Sequence, residues 1–444
     1  MAKKQTMMKK SIGKTGQPKA CAFSWKVTSS LFAEKMDSVA ADMKDLENVL
    51  HAVRPLSPHH KKTLAEDVFH LSRLLTEQRR EMAQPYWSSP RFISAYLYYF
   101  MPWNLLRLAR MLSTMTLPKP DGKQTLLLDL GSGPATLPLA LALAKPDFRE
   151  LPLHIVCQDK SQQILGIGRD LLEAMVPNWK VTLLPCSMAQ VKAQYSAKVG
   201  HERPFLVTQA NLLNGLVIRR NRHQGTRDES PLSEDAWEQE ENVSFFEQRL
   251  ERFLRHVDSL FGETPLHLLC FEPGTRLGGK IIMHLREKAR SLGFAVDCPC
   301  THHKPCPLMQ DKMRRSWCHF TCKTHSVPEW LADISRKACL SKDTLSLAPL
   351  FLHKRSKKTT LTDTARIISA PFSVPGIAGY ARYACSAHGL LLVEDNKSLV
   401  SGATIKLPKE LGREKDAKSG AIIVRSAAFG HTQTNKVGQA ASKN

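Results

Sequence analysis

The sequence predicts an α/β fold built on a doubly wound parallel sheet. Two observations lead to this prediction: apolar runs of strand length alternate with helical stretches, and the first of these runs ends in a glycine turn. The predicted strands lie near 125–129, 153–158, 180–184, 204–208 and 266–271. Ligands of such sheets bind at the carboxyl ends of the strands, so the residues at these ends are the first functional candidates.

The stretch TLLLDLGSGPATLPLALALA, residues 125–144, predicts a strand, a tight turn and a helix. Asp129 ends the apolar run, and Gly131, Ser132 and Gly133 form the turn. Glycines let the backbone approach a ligand closely, and the helix N-terminus beyond them presents unpaired N–H groups. No Lys-Ser or Lys-Thr pair follows, as a phosphate loop would require, and the third glycine of G-x-G-x-x-G is missing. The pattern is D-x-G-x-G.

This stretch closely resembles the first motif of the seven-strand S-adenosylmethionine-dependent methyltransferases, which have a Rossmann-like sheet. In that family the glycine turn meets the methionine part of the cofactor, and an acidic residue ending the second strand holds the ribose hydroxyls. The next apolar run here, LHIVC, is followed by Gln158 and Asp159. The resemblance therefore implies S-adenosylmethionine as cofactor and five binding residues: Asp129, Gly131, Ser132, Gly133 and Asp159. The alternative is a turn that only connects strand and helix.

No catalytic residue can be named from the sequence. The fourth strand, PFLVTQANLLNGL, ends without the N-P-P-Y that marks amino-methyltransferases of DNA and of some protein and RNA substrates. No cysteine nucleophile motif stands in the expected places. Glu272, in FEPGT at the end of the fifth strand, is either structural or faces the pocket.

Composition divides the chain into parts. The predicted parts are a basic disordered leader (1–30), an N-terminal helical region (31–118), a methyltransferase-like domain (119–350), a basic small β unit (351–425) and a flexible tail (426–444). A polar insertion at 219–242 is expected to be a mobile surface loop. The β unit contains short β-like runs at Arg382 to Val393, Ala403 to Leu407 and Ala421 to Arg425.

The N-terminal region has three predicted helices. Apolar residues at three and four spacing indicate helices over Leu31 to Val53, Leu64 to Met82 and Phe92 to Met115, the last bent at Pro102. Arg107 and Arg110 in the third helix are interpreted as solvated, although they could point at a ligand or RNA.

The charge balance predicts a polyanionic partner. Lys and Arg number 63 against 41 Asp and Glu, which leaves a net charge of +22. Nucleic acid is favoured over a membrane because no amphipathic basic helix stands out and no apolar run approaches a membrane span of about 20 residues. The alternative is that the charge only aids solubility.

Seven of the eleven cysteines lie between Cys298 and Cys385. Short cysteine spacings with prolines between them favour a metal site in an insertion at 298–322, because thiolates must converge and prolines fix the turns. Two ligand sets remain open. One is a local zinc knot of Cys298, Cys300, Cys318 and Cys322; the other combines Cys300, Cys306 and Cys318 with a distant fourth cysteine.

Taken together, the motifs DLGSGPAT, FEPGT, C-x5-C-P and W-C-H-F resemble the methyltransferase-like proteins associated with the mitochondrial small ribosomal subunit, and their bacterial relatives. The resemblance implies a [4Fe-4S] cluster held by Cys300, Cys306, Cys318 and Cys385, with zinc as the alternative. The chain departs from the family in a longer gap between Cys306 and Cys318, and in Gly215, which stands where a glutamate is usual.

The family resemblance also implies small-subunit ribosomal RNA as partner, with a role in ribosome assembly or translation and with neither DNA nor a membrane expected. Two hypotheses remain: an RNA methyltransferase, or a non-catalytic assembly factor that keeps the cofactor pocket for structure. The poor leader favours the bacterial cytoplasm, and the mitochondrial matrix is the alternative.

Overall fold

A computed structural model describes residues 25–76, 86–120, 125–217, 240–313, 315–355, 363–377, 379–395 and 398–425. Three predicted segments lie wholly or mostly outside these ranges: the leader up to residue 24, the polar insertion over 218–239 and the tail from 426. Residues 356–362 of the predicted β unit also lie outside them. None of the described helices combines the length and apolar character that a membrane crossing requires.

The described strands and helices alternate through the middle of the chain. The strands are β1 (Val27–Ser30), β2 (Leu126–Leu130), β3 (His154–Asp159), β4 (Lys180–Pro185), β5 (Leu206–Ala210), β6 (Leu266–Pro273), β7 (Ala295–Cys298), β8 (Phe320–Lys323), β9 (Thr344–Lys354), β10 (Thr364–Ile367), β11 (Tyr380–Ser386), β12 (Gly389–Asp395), β13 (Ala403–Lys406) and β14 (Ile422–Val424). The α-helices are α1 (Asp37–Val53), α2 (Pro58–Thr76), α3 (Pro90–Ala95), α4 (Met101–Leu112), α5 (Thr136–Ala144), α6 (Pro146–Arg149), α7 (Gln162–Met175), α8 (Val191–Lys198), α9 (Leu213–Val217), α10 (Glu240–Ser259), α11 (Arg276–Ser291) and α12 (Glu329–Lys337).

The central sheet has the order β4-β3-β2-β5-β6-β9-β7, with β8 added alongside β9. The first five strands of this order are parallel, whereas β9 runs antiparallel between β6 and β7. The chain order reverses beside β2, which creates the crevice where doubly wound sheets bind ligands. The predicted α/β fold with a mostly parallel sheet is confirmed. The cysteine-rich stretch lies in the connection between β7 and β9.

Both faces of the central sheet are covered. Leu127 and Ile155 join a core shared with the N-terminal helices, and Leu128 and Val156 join a second core with α10 and α11. Burial on both faces explains the nearly continuous apolar runs that predicted these strands.

The N-terminal helices differ in detail from the prediction. The first begins at Asp37 instead of Leu31, and the second begins at Pro58; its predicted end at Met82 lies outside the described residues. The third is interrupted by a π-helical turn over Tyr96–Phe100, directly before the predicted bend at Pro102. Proline has no N–H to donate, which disturbs the regular helical bonding of the preceding turn.

A second sheet has six strands in the order β1-β13-β10-β11-β12-β14. It corrects two sequence predictions. Val27–Ser30, placed in the disordered leader, pairs antiparallel with β13. The run Arg382 to Val393 is two strands, β11 and β12, because the chain turns back between Ser386 and Gly389, where Gly389 has φ of 102°. The boundary proposed at 350 also falls inside β9, which belongs to the central sheet.

Candidate cofactor site and cysteine group

The glycine turn lies at the carboxyl end of β2, in the crevice of the central sheet. Gly131 has φ of 64° and Gly133 has φ of 55°, in the left-handed region that favours glycine. A Cβ atom on Gly131 would lie 2.8 Å from Leu212 Cδ1, so a side chain there would collide. At Gly131 the backbone therefore passes so close to Leu212 that a residue with a side chain fits poorly.

The end of β3 holds this turn in place. The backbone N–H of Gly133 donates to Asp159 Oδ2 at 3.3 Å, and that of Ser161 donates to Oδ1 at 3.0 Å. Gln158 accepts from the Gly131 N–H through Oε1 at 3.1 Å. Burial raises the pKa of Asp159, and these backbone donors oppose that shift. The structure thus brings Asp159 to the glycine turn, whereas the sequence analysis gave Gln158 no role.

Asp129 lies below the turn in the interior. It is 1% exposed, and Thr208 Oγ1 on β5 donates to its Oδ1 at 2.6 Å. Burial raises the pKa of Asp129 to about 7, against the opposing effect of the Thr208 and Ser132 hydroxyls. Asp129 is therefore placed to tie β2 to β5 beneath the turn.

Aromatic residues of the N-terminal region stand over the turn. Trp87 Cζ2 lies 3.8 Å from the position of a Cβ on Gly133, and the Trp87 and Tyr96 rings meet edge to face with 4.7 Å between centroids. Burial raises the pKa of Tyr96, and hydrogen bonding by Thr136 at the start of α5 opposes the shift. The sequence predicted a role for neither residue. Tyr96 belongs to the aromatic run before Pro102, which was the available signal for it, whereas Trp87 precedes that run.

Arg107 and Arg110 are not solvated, which corrects their interpretation. Arg107 donates to Asn104 Oδ1 at 2.7 Å, to Ser346 O at 3.1 Å and to Asn211 Oδ1 at 3.4 Å, beside the ends of β5 and β6. Burial lowers its pKa. Arg110 is 8% exposed and donates through Nε to Ala33 O at 2.9 Å. The apolar periodicity of this helix did not indicate that other elements cover the sides of α4 that carry Arg107 and Arg110.

Glu272 at the end of β6 has a structural contact. Its side chain is fully buried, and its Oε1 accepts from the Leu213 backbone N–H at 2.9 Å. This bond fixes the segment that follows β5.

The cysteine-rich insertion packs on α11 through a glycine. A Cβ on Gly279 would lie 2.4 Å from Trp317 Cδ1 and 2.7 Å from Cys318 O. Trp317 Nε1 also donates to Gly274 O at 3.1 Å, directly after β6. The glycines of FEPGTRLGG therefore allow the insertion to lie beside the carboxyl edge of the central sheet.

The structure brings the four predicted cysteine ligands near one another. Burial raises the pKa of Cys385 well above its usual value, and Cys300, Cys306 and Cys318 raise it further by charge repulsion. Burial, Cys300 and Cys306 also raise the pKa of Cys318. Cys385 comes from β11 of the second sheet, so this distant residue joins three thiols of the insertion.

Polar contacts hold this group of four, here called the cysteine group. Arg286 Nε on α11 donates to Cys300 Sγ at 3.0 Å, and the guanidinium also donates to the carbonyl oxygens of His302 and Lys304 at 3.1 and 2.8 Å. His302 Nε2 lies 3.1 Å from Cys385 Sγ. The spacing of the sequence motifs did not predict that Arg286 and His302 belong to the site.

Cys322, on β8, lies beside two arginines of α4. Burial raises its pKa, and Arg110 and Arg107 oppose this shift. Burial raises the pKa of Cys298 to about 12; Arg366 opposes this shift, and Cys300 adds to it. In the described ranges, no three His, Cys, Asp or Glu side chains are grouped so as to hold a single metal ion.

A family model described as "Mitochondrial small ribosomal subunit Rsm22" matches residues 247–376. The match runs from α10 past β10, and it includes Cys300, Cys306 and Cys318. A comparison with curated proteins finds no match.

Solved structures give weak similarities. The chain is 12% identical to a putative RNA methyltransferase from Pyrococcus horikoshii, with a TM-score of 0.28, over 60% of this chain and 85% of that one. It is 12% identical to magnesium protoporphyrin IX methyltransferase from Synechocystis PCC 6803 with bound S-adenosylhomocysteine, with a TM-score of 0.31, over 65% and 99%.

A third similarity is to the protein PH0851, at 14% identity and a TM-score of 0.31, over 56% of this chain and 45% of that one. The chain thus spans less than half the length of that protein. The resemblance to the small-ribosomal-subunit family is confirmed by the family model over residues 247–376, the part that carries three of the four cysteines of the group.

Proposed function

We propose that this chain is an S-adenosylmethionine-binding, methyltransferase-like protein that acts on or with small-subunit ribosomal RNA in ribosome assembly or translation. The observation that carries the proposal is the contact between the Gly131–Gly133 turn and Asp159 in the crevice of the sheet. A glycine turn and an acidic residue at neighbouring strand ends are the two elements that such a cofactor needs for its methionine and ribose parts.

Each predicted binding residue has a role in this proposal. The backbone of Gly131, Ser132 and Gly133 would contact the methionine part, and Asp159 would accept from the ribose hydroxyls. Asp129, buried beneath the turn, would support it by fixing β2 to β5. Trp87 and Tyr96, which stand over the turn, would exclude water from the cofactor. When bound, the cofactor supplies a methyl group on a sulfonium, and the protein's contribution to transfer is to align an attacking atom with it.

The cysteine group is proposed to hold a [4Fe-4S] cluster, with zinc as the alternative. Three of its thiols belong to the insertion, and the fourth, Cys385 on β11, has its Sγ 3.1 Å from Nε2 of His302 in that insertion. Cys322, which the local zinc knot requires, lies on β8 beside Arg110 and Arg107. In a cluster the four thiolates need not converge on one atom, because each binds a different iron. Cys300, Cys306, Cys318 and Cys385 would be the ligands, and the bound cluster would supply a redox-active or structural centre.

The partner is proposed from charge and family. A net charge of +22 favours a polyanion, since basic side chains that neutralise phosphates release counterions. The matched family model names the mitochondrial small ribosomal subunit, which favours the mitochondrial matrix over the bacterial cytoplasm as the compartment.

The first experiment measures iron, acid-labile sulfide and zinc in anaerobically purified full-length protein. About four irons and four sulfides per chain are expected for a cubane cluster, and Cys385→Ser should lose them. Cys339→Ser is the matched control, because Cys339 is exposed and outside the group. If the protein instead contains one zinc per chain and Cys385→Ser retains it, the cluster is contradicted and a local zinc site is supported.

The second experiment separates enzyme from assembly factor. Transfer of a labelled methyl group from S-adenosylmethionine to small-subunit RNA would support the enzyme. Gly131→Ala should weaken cofactor binding about tenfold or more, and subunit assembly should then be measured in cells that carry only this variant. Normal assembly despite this loss of affinity would argue against a role of the pocket in assembly.

A further inference from the structure

Two arginines lie against the cysteine group, and they differ in their charge partners. Arg286 is 2% exposed and is already ion-paired with the neighbouring Glu287 carboxylate. Arg366 on β10 is 9% exposed, and its guanidinium donates to Pro299 O at 2.9 Å and to Gly402 O at 2.8 Å. Among the residues that the structure describes, no carboxylate forms an ion pair with Arg366.

The position of Arg366 is fixed by strand pairing. It lies directly opposite Cys385 in the antiparallel pair of β10 and β11. Side chains at opposed positions share one face of a sheet with Cβ atoms about 5 Å apart. The Pro299 carbonyl that Arg366 binds belongs to the insertion, one residue before Cys300. Arg366 therefore bridges the two halves of the cysteine group.

A buried guanidinium needs an anion. Burial of an unpaired charge is strongly unfavourable, and arginine cannot relieve it by losing its proton. The groups whose negative charge would act on Arg366 are Cys298, Cys300, Cys318 and Cys385. An anionic group bound by the four cysteines would compensate this buried cation, because Arg366 lies opposite Cys385 and its Nε donates to the carbonyl that precedes Cys300.

We propose that Arg366 is the charge partner of the cluster: a positioning residue that binds no iron but stabilises the anionic thiolate cluster and raises its midpoint potential. This role rests on the proposed cluster. A cluster on four thiolates has a net negative charge and becomes more negative when it gains an electron. A fixed cation beside it stabilises the reduced form more than the oxidised form, and charge near a cluster is one of the determinants of its potential.

The test uses the full-length protein, purified without oxygen, with two variants of Arg366. Arg366→Gln removes the charge and keeps a donor for the Pro299 and Gly402 carbonyls, whereas Arg366→Lys keeps the charge. Iron and sulfide contents are measured first, and the midpoint potential is then titrated with a chemical reductant, followed by absorbance and electron paramagnetic resonance. We expect a more negative midpoint for Arg366→Gln and a midpoint near the wild-type value for Arg366→Lys.

Arg425→Gln is the matched control. Arg425 follows β14 at the edge of the same sheet, its side chain is 40% exposed, and it pairs with Glu414. Solvent and salt screen an exposed charge, so its removal should leave the midpoint unchanged.

The outcomes are distinct. A full cluster with an unchanged midpoint in Arg366→Gln overturns the role of Arg366 and leaves the cluster standing. Wild-type protein without iron and sulfide overturns the cluster, and the role of Arg366 with it. If Arg366→Gln folds poorly or carries no iron, Arg366→Lys becomes the deciding variant. Wild-type iron content in Arg366→Lys would support the proposed role of the Arg366 charge, and loss of iron in both variants would contradict it.

Discussion

The Asp159 carboxylate at the end of β3 accepts a hydrogen bond from the backbone N–H of Gly133, with 3.3 Å between N and Oδ2. This contact joins the two sequence motifs that predict the cofactor, although 26 residues separate them. It also means that the carboxylate is oriented before any ligand arrives. The predictions for the cofactor site depend on this arrangement.

Gly131→Ala should weaken S-adenosylmethionine binding about tenfold or more. The substitution places a Cβ against Leu212 at a positive φ, and strain of this kind amounts to about 1–3 kcal/mol. Isothermal titration calorimetry measures the effect. Gly166→Ala is the control, since a Cβ at Gly166 meets nothing within 4 Å and the residue lies inside α7. Equal affinities of the two variants would argue against the turn as the binding site.

Asp159→Asn should reduce cofactor affinity about 10- to 100-fold, because a hydrogen bond to a charged acceptor contributes about 1.5–3 kcal/mol. The amide still accepts from the Ser161 N–H, so the fold should be kept. Asp170→Asn, on the exposed side of α7, is the comparison. The ribose assignment fails if both variants bind the cofactor like the wild type.

Trp87 should report cofactor binding by fluorescence. Its ring stands over Gly133, so a ligand in the turn changes its surroundings. The wild-type emission should change on titration with S-adenosylmethionine, and Trp87→Phe should lose most of this response. Trp179→Phe should keep it, because Trp179 is buried elsewhere and donates to Phe148 O. A response retained in Trp87→Phe would place the ligand away from this ring.

Asp129→Asn should change how stability depends on pH. Burial raises the pKa of Asp129 from 3.8 to about 7, so the folded protein keeps its proton where the unfolded chain has lost it. The stability that this proton contributes is complete below about pH 4 and is lost as pH rises through about 7. The asparagine variant cannot ionise, and Thr208 can still donate to its oxygen.

Urea unfolding of wild type and Asp129→Asn over this pH interval tests the sign. The stability of the variant relative to wild type should increase with pH, by a few kcal/mol in total. A difference that stays constant across the interval would show that Asp129 does not carry the raised pKa.

The central sheet and its turn were predictable because their signals are local. Buried parallel strands such as Leu126–Leu130 are continuous apolar runs, and a turn that requires positive φ at Gly131 selects glycine. The position of Asp159 at a strand end was predicted from the alternation of strands and helices along the chain. In each case the residues that decide the structure stand next to one another in the chain.

The remaining features depend on distant neighbours. Val27–Ser30 is a run of only four residues that follows a lysine-rich leader, and its pairing with β13 makes it a strand. Arg107 and Arg366 have the sequence appearance of ordinary surface arginines, and burial by other elements gives them their contacts. The family resemblance, and not spacing, joined Cys385 to the insertion.

The pairing of β1 with β13 sets an order of events during synthesis. Thr28 and Thr404 are 376 residues apart, so at about 5–20 residues per second the ribosome needs roughly 20 to 75 s between them. During this interval Val27–Ser30 has no partner strand, and the three thiols of the insertion are made before Cys385 follows. An unpaired strand edge is open to pairing with other chains. Co-translational folding can therefore complete the central sheet early, while the second sheet and the cysteine group close only as the chain is finished.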